Sequence, residues 1–187
     1  MNPIQNNQNI TFTHGGYRNL ESFKNATLIF DLTVEFCQKF IDRKSRTKDQ
    51  MEQAARSGRQ NIAEGSKASG TSKKTELKLT NVARASLEEL LLDYEDFLRQ
   101  RHLKMWDKNS PEVKTIRQIA YDKNKSYQSY VSYLTSSETF ANLLICLIHQ
   151  TNYLLDRQIQ KLSEDFQKYG GFTERLYKQR SQYRSQK

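Results

Sequence analysis

Proline occurs at positions 3 and 111 and nowhere else. Proline locks φ, lacks an amide N–H and breaks a helix interior, so residues 4–110 run without the strongest helix breaker. Glycine supplies the punctuation: the seven glycines fall within 15–16, 58–70 and 170–171. No stretch alternates apolar and polar residues as a half-buried strand would, and no unit repeats at a period of about 20 to 50 residues. A chain punctuated this way is expected to fold as long helices, an all-α protein.

The apolar spacing places those helices. A first is predicted from about Leu20 to Lys44, where Phe23, Thr27, Phe30, Val34, Cys37 and Ile41 recur at steps of three or four. Ile29, Leu32, Phe36 and Phe40 form a second stripe beside it, and a helix apolar on two sides needs neighbours on both. A second helix is predicted from Thr47 to Glu64, with the small inward set Met51, Ala54, Ala55, Gly58 and Ile62. Glycine costs a helix about 1 kcal/mol relative to alanine, so Gly58 is expected to mark a tight contact. Gly65 stands where a left-handed C-cap is expected.

A third helix starts near Ser72, a plausible N-cap, and reaches Arg101. Its Leu77, Thr80, Ala83, Leu87, Leu90, Leu91, Tyr94, Phe97 and Leu98 keep the period over roughly 45 Å. "HLKMWDKNSPE" breaks the pattern, and Pro111 suits the first helical position after Ser110. A fourth pattern spans 111–134 with a polar middle. A fifth runs from about Ser136 to Tyr169 and ends at Gly170–Gly171. The expected organisation is a flexible N-terminal arm, 1–18, a helical bundle, 19–169, and a basic C-terminal tail, 170–187.

Only 36% of the residues are hydrophobic, low for a globular monomer of 187 residues. An oligomer that completes its core between subunits fits that figure. The net charge of +9 suggests an anionic partner or a merely soluble basic surface. Cys37 and Cys146 each sit in an apolar helical pattern, as reduced core residues of a cytosolic protein do. "LLICLI", 143–148, is far shorter than the ~20 residues a membrane span needs, and the N-terminus has no apolar signal region. A soluble, cytoplasmic protein is expected.

"QMEQAARSGRQNIAEGSKASG" followed by "VARASLEEL" resembles the four-helix bundle proteins encoded by intervening sequences in 23S ribosomal RNA genes. The matching residues are Gln53 (or Gln50), Arg56, Ser57, Asn61, Ile62, Ala63, Glu64 and Gly65, then Ala83, Ser86, Glu89 and Leu90. The likeness covers roughly 20–100. Residues of about 136–169 resemble the suffix region of some of these proteins, and 104–134 is extra length. The resemblance implies an antiparallel up-and-down four-helix bundle that assembles as a ring-like homo-oligomer, a homopentamer in characterised relatives. One branch of the family serves diversity-generating retroelements, binding nucleic acid and a reverse transcriptase. Under the resemblance, Arg56, Ser57, Gly58, Asn61, Glu64, Gly65, Ser86 and Glu89 are the structural motif.

Between Arg46 and Arg84 nine cations face four anions. Lys67, Lys73, Lys74 and Lys78, with Arg59 nearby, flank the junction of the second and third helices. A helix N-terminus adds unpaired N–H groups and a positive dipole end, so these cations are candidate phosphate ligands. The simpler reading is a glycine-closed hairpin with lysines on its solvated side. Gly65-SKAS-Gly70-TS lacks the GK[ST] ending of a phosphate-binding P-loop and follows a helix. Asn61 and Glu64 are expected to satisfy backbone or neighbouring groups, and Arg56 to pair with Glu64 or Glu89, with facing a phosphate as its alternative. Cys146-x-x-His149 is half a zinc pattern without a second half, and His149 is expected in the core or an interface. No Ser/His/Asp arrangement can be assembled, so no catalytic residue, metal or cofactor is expected. Tyr121, Tyr127, Tyr130 and Tyr133, among lysines, suit either base stacking or a bundle seam. The favoured function is non-enzymatic nucleic-acid binding, or scaffolding of a nucleoprotein complex. A protein–protein interaction module without nucleic acid is the alternative.

Overall fold

A computed structural model describes residues 16–122 and 125–185. The predicted arm falls mostly outside them, and its last residues form a 3-10 turn, Gly16–Asn19, with Tyr17 edge-on to Phe23 at 4.7 Å. The helices are α1 (Glu21–Phe40), α2 (Arg46–Ala68), α3 (Lys73–Gln100), α4 (Pro111–Tyr121), α5 (Ser137–Tyr169) and α6 (Phe172–Ser185). A 3-10 segment, Tyr127–Thr135, precedes α5. Among the described residues there is no strand.

Four helices form the bundle, and contacts between their side chains give its direction. Phe30 of α1 meets Arg59 of α2, and Cys37 meets Met51, so residue numbers rise on one helix as they fall on the other. Ser57 of α2 meets Ser86 of α3, and Gly65 approaches Glu76. Arg84 of α3 meets Asp156 of α5, and Lys104 just beyond α3 meets Glu138. Ser22 of α1 meets Gln158, and Phe36 meets Phe140. Every adjacent pair is antiparallel. The order around the bundle is α1, α2, α3, α5, an up-and-down arrangement with short connections on either side of α2 and a long one between α3 and α5.

Phe36 is the hub of the core. It lies 5.3, 5.1, 4.9 and 5.4 Å from the rings of Phe40, Tyr94, Phe97 and Phe140, mostly edge-to-face. The Tyr94 hydroxyl is satisfied by donating to Thr33 Oγ1 at 3.0 Å. In α5 every residue from Phe140 to Ile148 is buried. This run contains "LLICLI": α5 packs on α1 and α3 and is covered on its outer side by α4 and the 3-10 segment. Such a helix must be apolar all round.

Three expectations change. The first helix stops at Phe40, because the chain turns through Asp42–Ser45 to begin α2. Ser45 caps that helix by accepting from the Thr47 amide. Gly65 is not a C-cap: α2 continues to Ala68, and Gly65 is buried in its interior against α3. Gly170, at φ 68°, ends α5 as expected, and the basic tail continues as α6.

The fourth pattern, 111–134, is two elements and not one helix. α3 ends and α5 begins at the same end of the bundle, so the connection must go out and come back. Ser110 caps α4, Pro111 opens it, and its eleven residues cover ~16 Å. The nine 3-10 residues return ~18 Å at their longer rise. A continuous helix would have ended roughly 36 Å from its start. Both limbs close on one point: Asn142 accepts from the Trp106 amide at 2.8 Å and donates to the Lys104 carbonyl, and Trp106 packs on Tyr133.

Candidate functional site

Up-and-down topology gathers the start of α1, the end of α2, the start of α3 and the end of α5 at one end of the molecule, from which α6 departs. Those segments, 16–24, 64–78 and 157–185, carry thirteen Lys+Arg against six Asp+Glu. Residues 79–156 carry nine against ten. Most of the net positive charge therefore belongs to this basic end, a polarity that no single segment displays.

The structure brings Lys67, Lys73, Lys74 and Lys78 together there. Lys74 and Lys78 are exposed four residues apart on α3, on one helical face. Lys67 is exposed at the end of α2, with its ammonium 5.7 Å from the Tyr17 ring centre. Lys73 is engaged by Glu76 at 2.8 Å. Arg59 stands apart, about 12 Å from Lys67 along α2. Its guanidinium stacks on Phe30 at 4.2 Å, which makes it a packing residue between α1 and α2.

The expected phosphate cradle at the start of α3 is already filled. The Ser72 hydroxyl accepts from the Thr75 amide at 3.1 Å, and the buried carboxylate of Glu76 sits in the first turn. A negative side chain at this position complements the helix dipole itself. Anion affinity here must come from exposed ammonium groups, not from open backbone amides.

The motif residues hold α2 and α3 together. Ser57 and Ser86 share a hydrogen bond of 2.9 Å, and Asn61 donates to the Ser57 carbonyl at 2.9 Å and hydroxyl at 3.1 Å. Gly58 lies against Leu87. Arg56, Glu64 and Glu89 are exposed, and among the described residues no ion pair joins Arg56 to either carboxylate, contrary to expectation. α3 also carries the carboxylates Glu88, Glu89, Asp93, Glu95 and Asp96. Arg84 bridges Glu88 and Asp156, and Asn152 donates to Glu88. Burial, with Glu89 and Asp96 nearby, raises the Asp93 carboxyl above its ordinary value.

The four central tyrosines do not form a stacking platform. Tyr130 is buried, Tyr133 packs on Trp106, and Tyr127 donates to Glu35 at 2.7 Å, leaving Tyr121 exposed. Exposed tyrosines lie elsewhere: Tyr153 midway along α5, Tyr169 at its end and Tyr177 and Tyr183 on α6 are each more than half exposed. Arg157 and Lys168 lie 6.0 and 5.1 Å from the rings of Tyr153 and Tyr169. Tyrosine alternates with Lys and Arg from 168 to 184, which was visible in the sequence.

Cys146 and His149 do not form a site. The thiol is buried and raised to about 11 by burial, while His149 is exposed, not in the core. No group of three or more potential metal ligands occurs among the described residues. No helix among them is long and apolar enough to cross a membrane. Comparison with known proteins assigns no relative: no family model, curated protein or solved structure matches the chain.

Proposed function

We propose that this chain is a non-enzymatic helical-bundle protein that binds single-stranded nucleic acid through its basic end. The observation that carries this reading is the excess of cations at that end, interleaved with exposed tyrosines. Cations track a phosphate backbone, and tyrosine rings stack on bases of any sequence. The bundle is proposed to act as a homo-oligomer, a pentamer of about 110 kDa from 22.0 kDa chains, in which the basic ends multiply into one charged surface. A reverse transcriptase or another nucleoprotein component is the protein partner that the family resemblance suggests.

The test is a salt titration of binding to single-stranded RNA and duplex DNA, with mass followed by light scattering. Log K should fall linearly with log salt, by about 0.7 per phosphate contact on a single strand. Substituting Lys67, Lys74 and Lys78 together by Ala should flatten that slope by about two units and leave sequence preference unchanged. Removing residues 172–185 should weaken binding further through lost stacking. Leu92, 56% exposed, and Val82, 39% exposed, favour the second reading, a protein-interaction face on α3. That reading takes over if neither nucleic acid binds at low salt.

A further inference from the structure

α2 and α5 pack on the inner side of α3, where Ala83, Leu87, Leu90 and Tyr94 are buried. The outer side carries a second stripe. Lys78, Val82, Ala85, Glu89, Leu92 and Asp96 are all exposed and recur at alternating steps of four and three. That is the a/d spacing of a coiled-coil seam, set here on the solvent side of a bundle helix. The stripe is also graded along its length: a cation stands at its start, valine and leucine within it, and acids toward its end. Two copies of α3 laid antiparallel, with Leu87 of each at one level, are complementary at every step. Lys78 and Asp96 lie equally far from position 87, as do Val82 and Leu92, and Ala85 and Glu89. The pairing therefore sets cation against anion, apolar against apolar, and a small residue against the longer Glu89. A parallel pair in register would set Lys78, Glu89 and Asp96 each against its own copy, like charge on like, which costs affinity.

We propose that the outer face of α3 docks a second copy of this chain, antiparallel, about a two-fold axis level with Leu87. Neighbouring charges do not oppose the contact. Arg99 holds Asp96 at 2.6 Å, but both are exposed, and a carboxylate has acceptor sites left for Lys78 of the other copy. Glu88 flanks the stripe close to the axis and would approach its own copy, and its carboxylate is held by Arg84 at 3.2 Å and Asn152 at 3.0 Å. From 78 to 96 the stripe is ~27 Å long. One helix from each copy makes a contact at the small end of specific interfaces, which sets association in about the micromolar range. The proposal goes beyond the nucleic-acid reading and does not depend on it. It is independent of the pentamer too, because a two-fold contact closes at two copies, and joins two rings where rings form.

The mass of the full-length protein, followed by sedimentation from about 1 to 200 µM, reads the association. It should rise to twice that of the 22.0 kDa chain, or to twice that of a ring. Leu92→Glu, at an exposed position, should weaken the association about tenfold or more while melting no lower than wild type. Lys78→Glu should weaken it in the same direction, and adding Asp96→Lys to the same chain should restore it. Lys78 also belongs to the proposed phosphate surface, so these measurements are made without nucleic acid. Disulfide trapping reads the orientation, with Val82→Cys and Leu92→Cys made in separate chains; the native thiols are buried. In a mixed antiparallel pair the two new thiols are level. In a like pair they stand ~15 Å apart, beyond the ~7 Å between Cα atoms that a disulfide spans. The mixture should cross-link to dimer many-fold faster than either variant alone. Cross-linking of either variant alone as fast as the mixture overturns the inference, as does failure of the double charge reversal to restore association. A dimer without a ring keeps this contact and removes the pentamer. A ring that never doubles, or a chain that stays monomeric throughout, removes this contact.

Discussion

Gly58 and Gly65 lie seven residues apart on the same face of α2, yet they face different surroundings. A Cβ on Gly58 would lie 2.8 Å from both Cγ and Cδ2 of Leu87, a fully buried side chain that would have to shift. A Cβ on Gly65 would meet the Glu76 carbonyl oxygen and Leu79 Cβ at 3.4 Å, close to ordinary contact. Gly58→Ala should therefore lose more to overpacking, about 1–3 kcal/mol, than the ~1 kcal/mol of helix propensity it gains. Gly65→Ala should stay within about 1 kcal/mol of wild type. Thermal melts of the two variants test the order, and Gly58→Ala melting above Gly65→Ala would show that Leu87 yields. The close approach at Gly58 was legible in the sequence, from small residues on an inward face. The one at Gly65 was not, because a glycine near the end of an apolar pattern reads equally well as a cap.

α5 and α6 are opposite cases of what makes a helix. α5 has a capped start, with Ser136 accepting from the Thr139 amide at 3.1 Å, and neighbours on every side over Phe140–Ile148. α6 has fourteen residues and none buried among those described. Isolated helices of about that length are marginal in water. Amide hydrogen exchange should find α5 protected to near the global stability and α6 exchanging many-fold faster. Addition of single-stranded RNA should slow α6 selectively if its tyrosines and cations engage the strand. Unchanged exchange in α6 at saturating RNA would remove that helix from the interface. At this scale the sequence predicts the long helices well, because apolar spacing is a local property. It misreads 111–134, because the out-and-back path is imposed by where α3 ends and α5 begins.

The molecule as a whole is expected to be destabilised by alkali, and the sign follows from its buried acids. Burial, with Glu52 adding to it, pushes the Cys37 thiol from 9.0 up to about 12, and burial pushes Cys146 up to about 11. Burial also holds the Tyr94 phenol well above 10.0. The unfolded chain releases these protons at lower pH than the folded one, so their stabilising effect is complete below about pH 9 and is lost as pH rises toward 11–12. Each thiol should contribute a slope of up to about 1.4 kcal/mol per pH unit in that window. Urea midpoints at about pH 8 and pH 10.5 measure it, and Cys37→Ala with Cys146→Ala should flatten the difference. Equal midpoints for wild type would show that neither thiol is shielded in the folded state.

Proline placement, apolar spacing and caps such as Ser72 and Ser110 are properties of neighbouring residues, and they determined the four long helices and their inward faces. They also identified Lys67, Lys74 and Lys78 as cations near one helix junction. Only the tertiary structure decided that three chain segments distant in sequence share one end, so that their charges add. It alone stacked Arg59 on Phe30, filled the start of α3 with Glu76, and left Val82 and Leu92 of α3 exposed. The physical reason is range: helix propensity and capping act within about four residues. Electrostatic fields and cavities are sums over whatever the fold brings together.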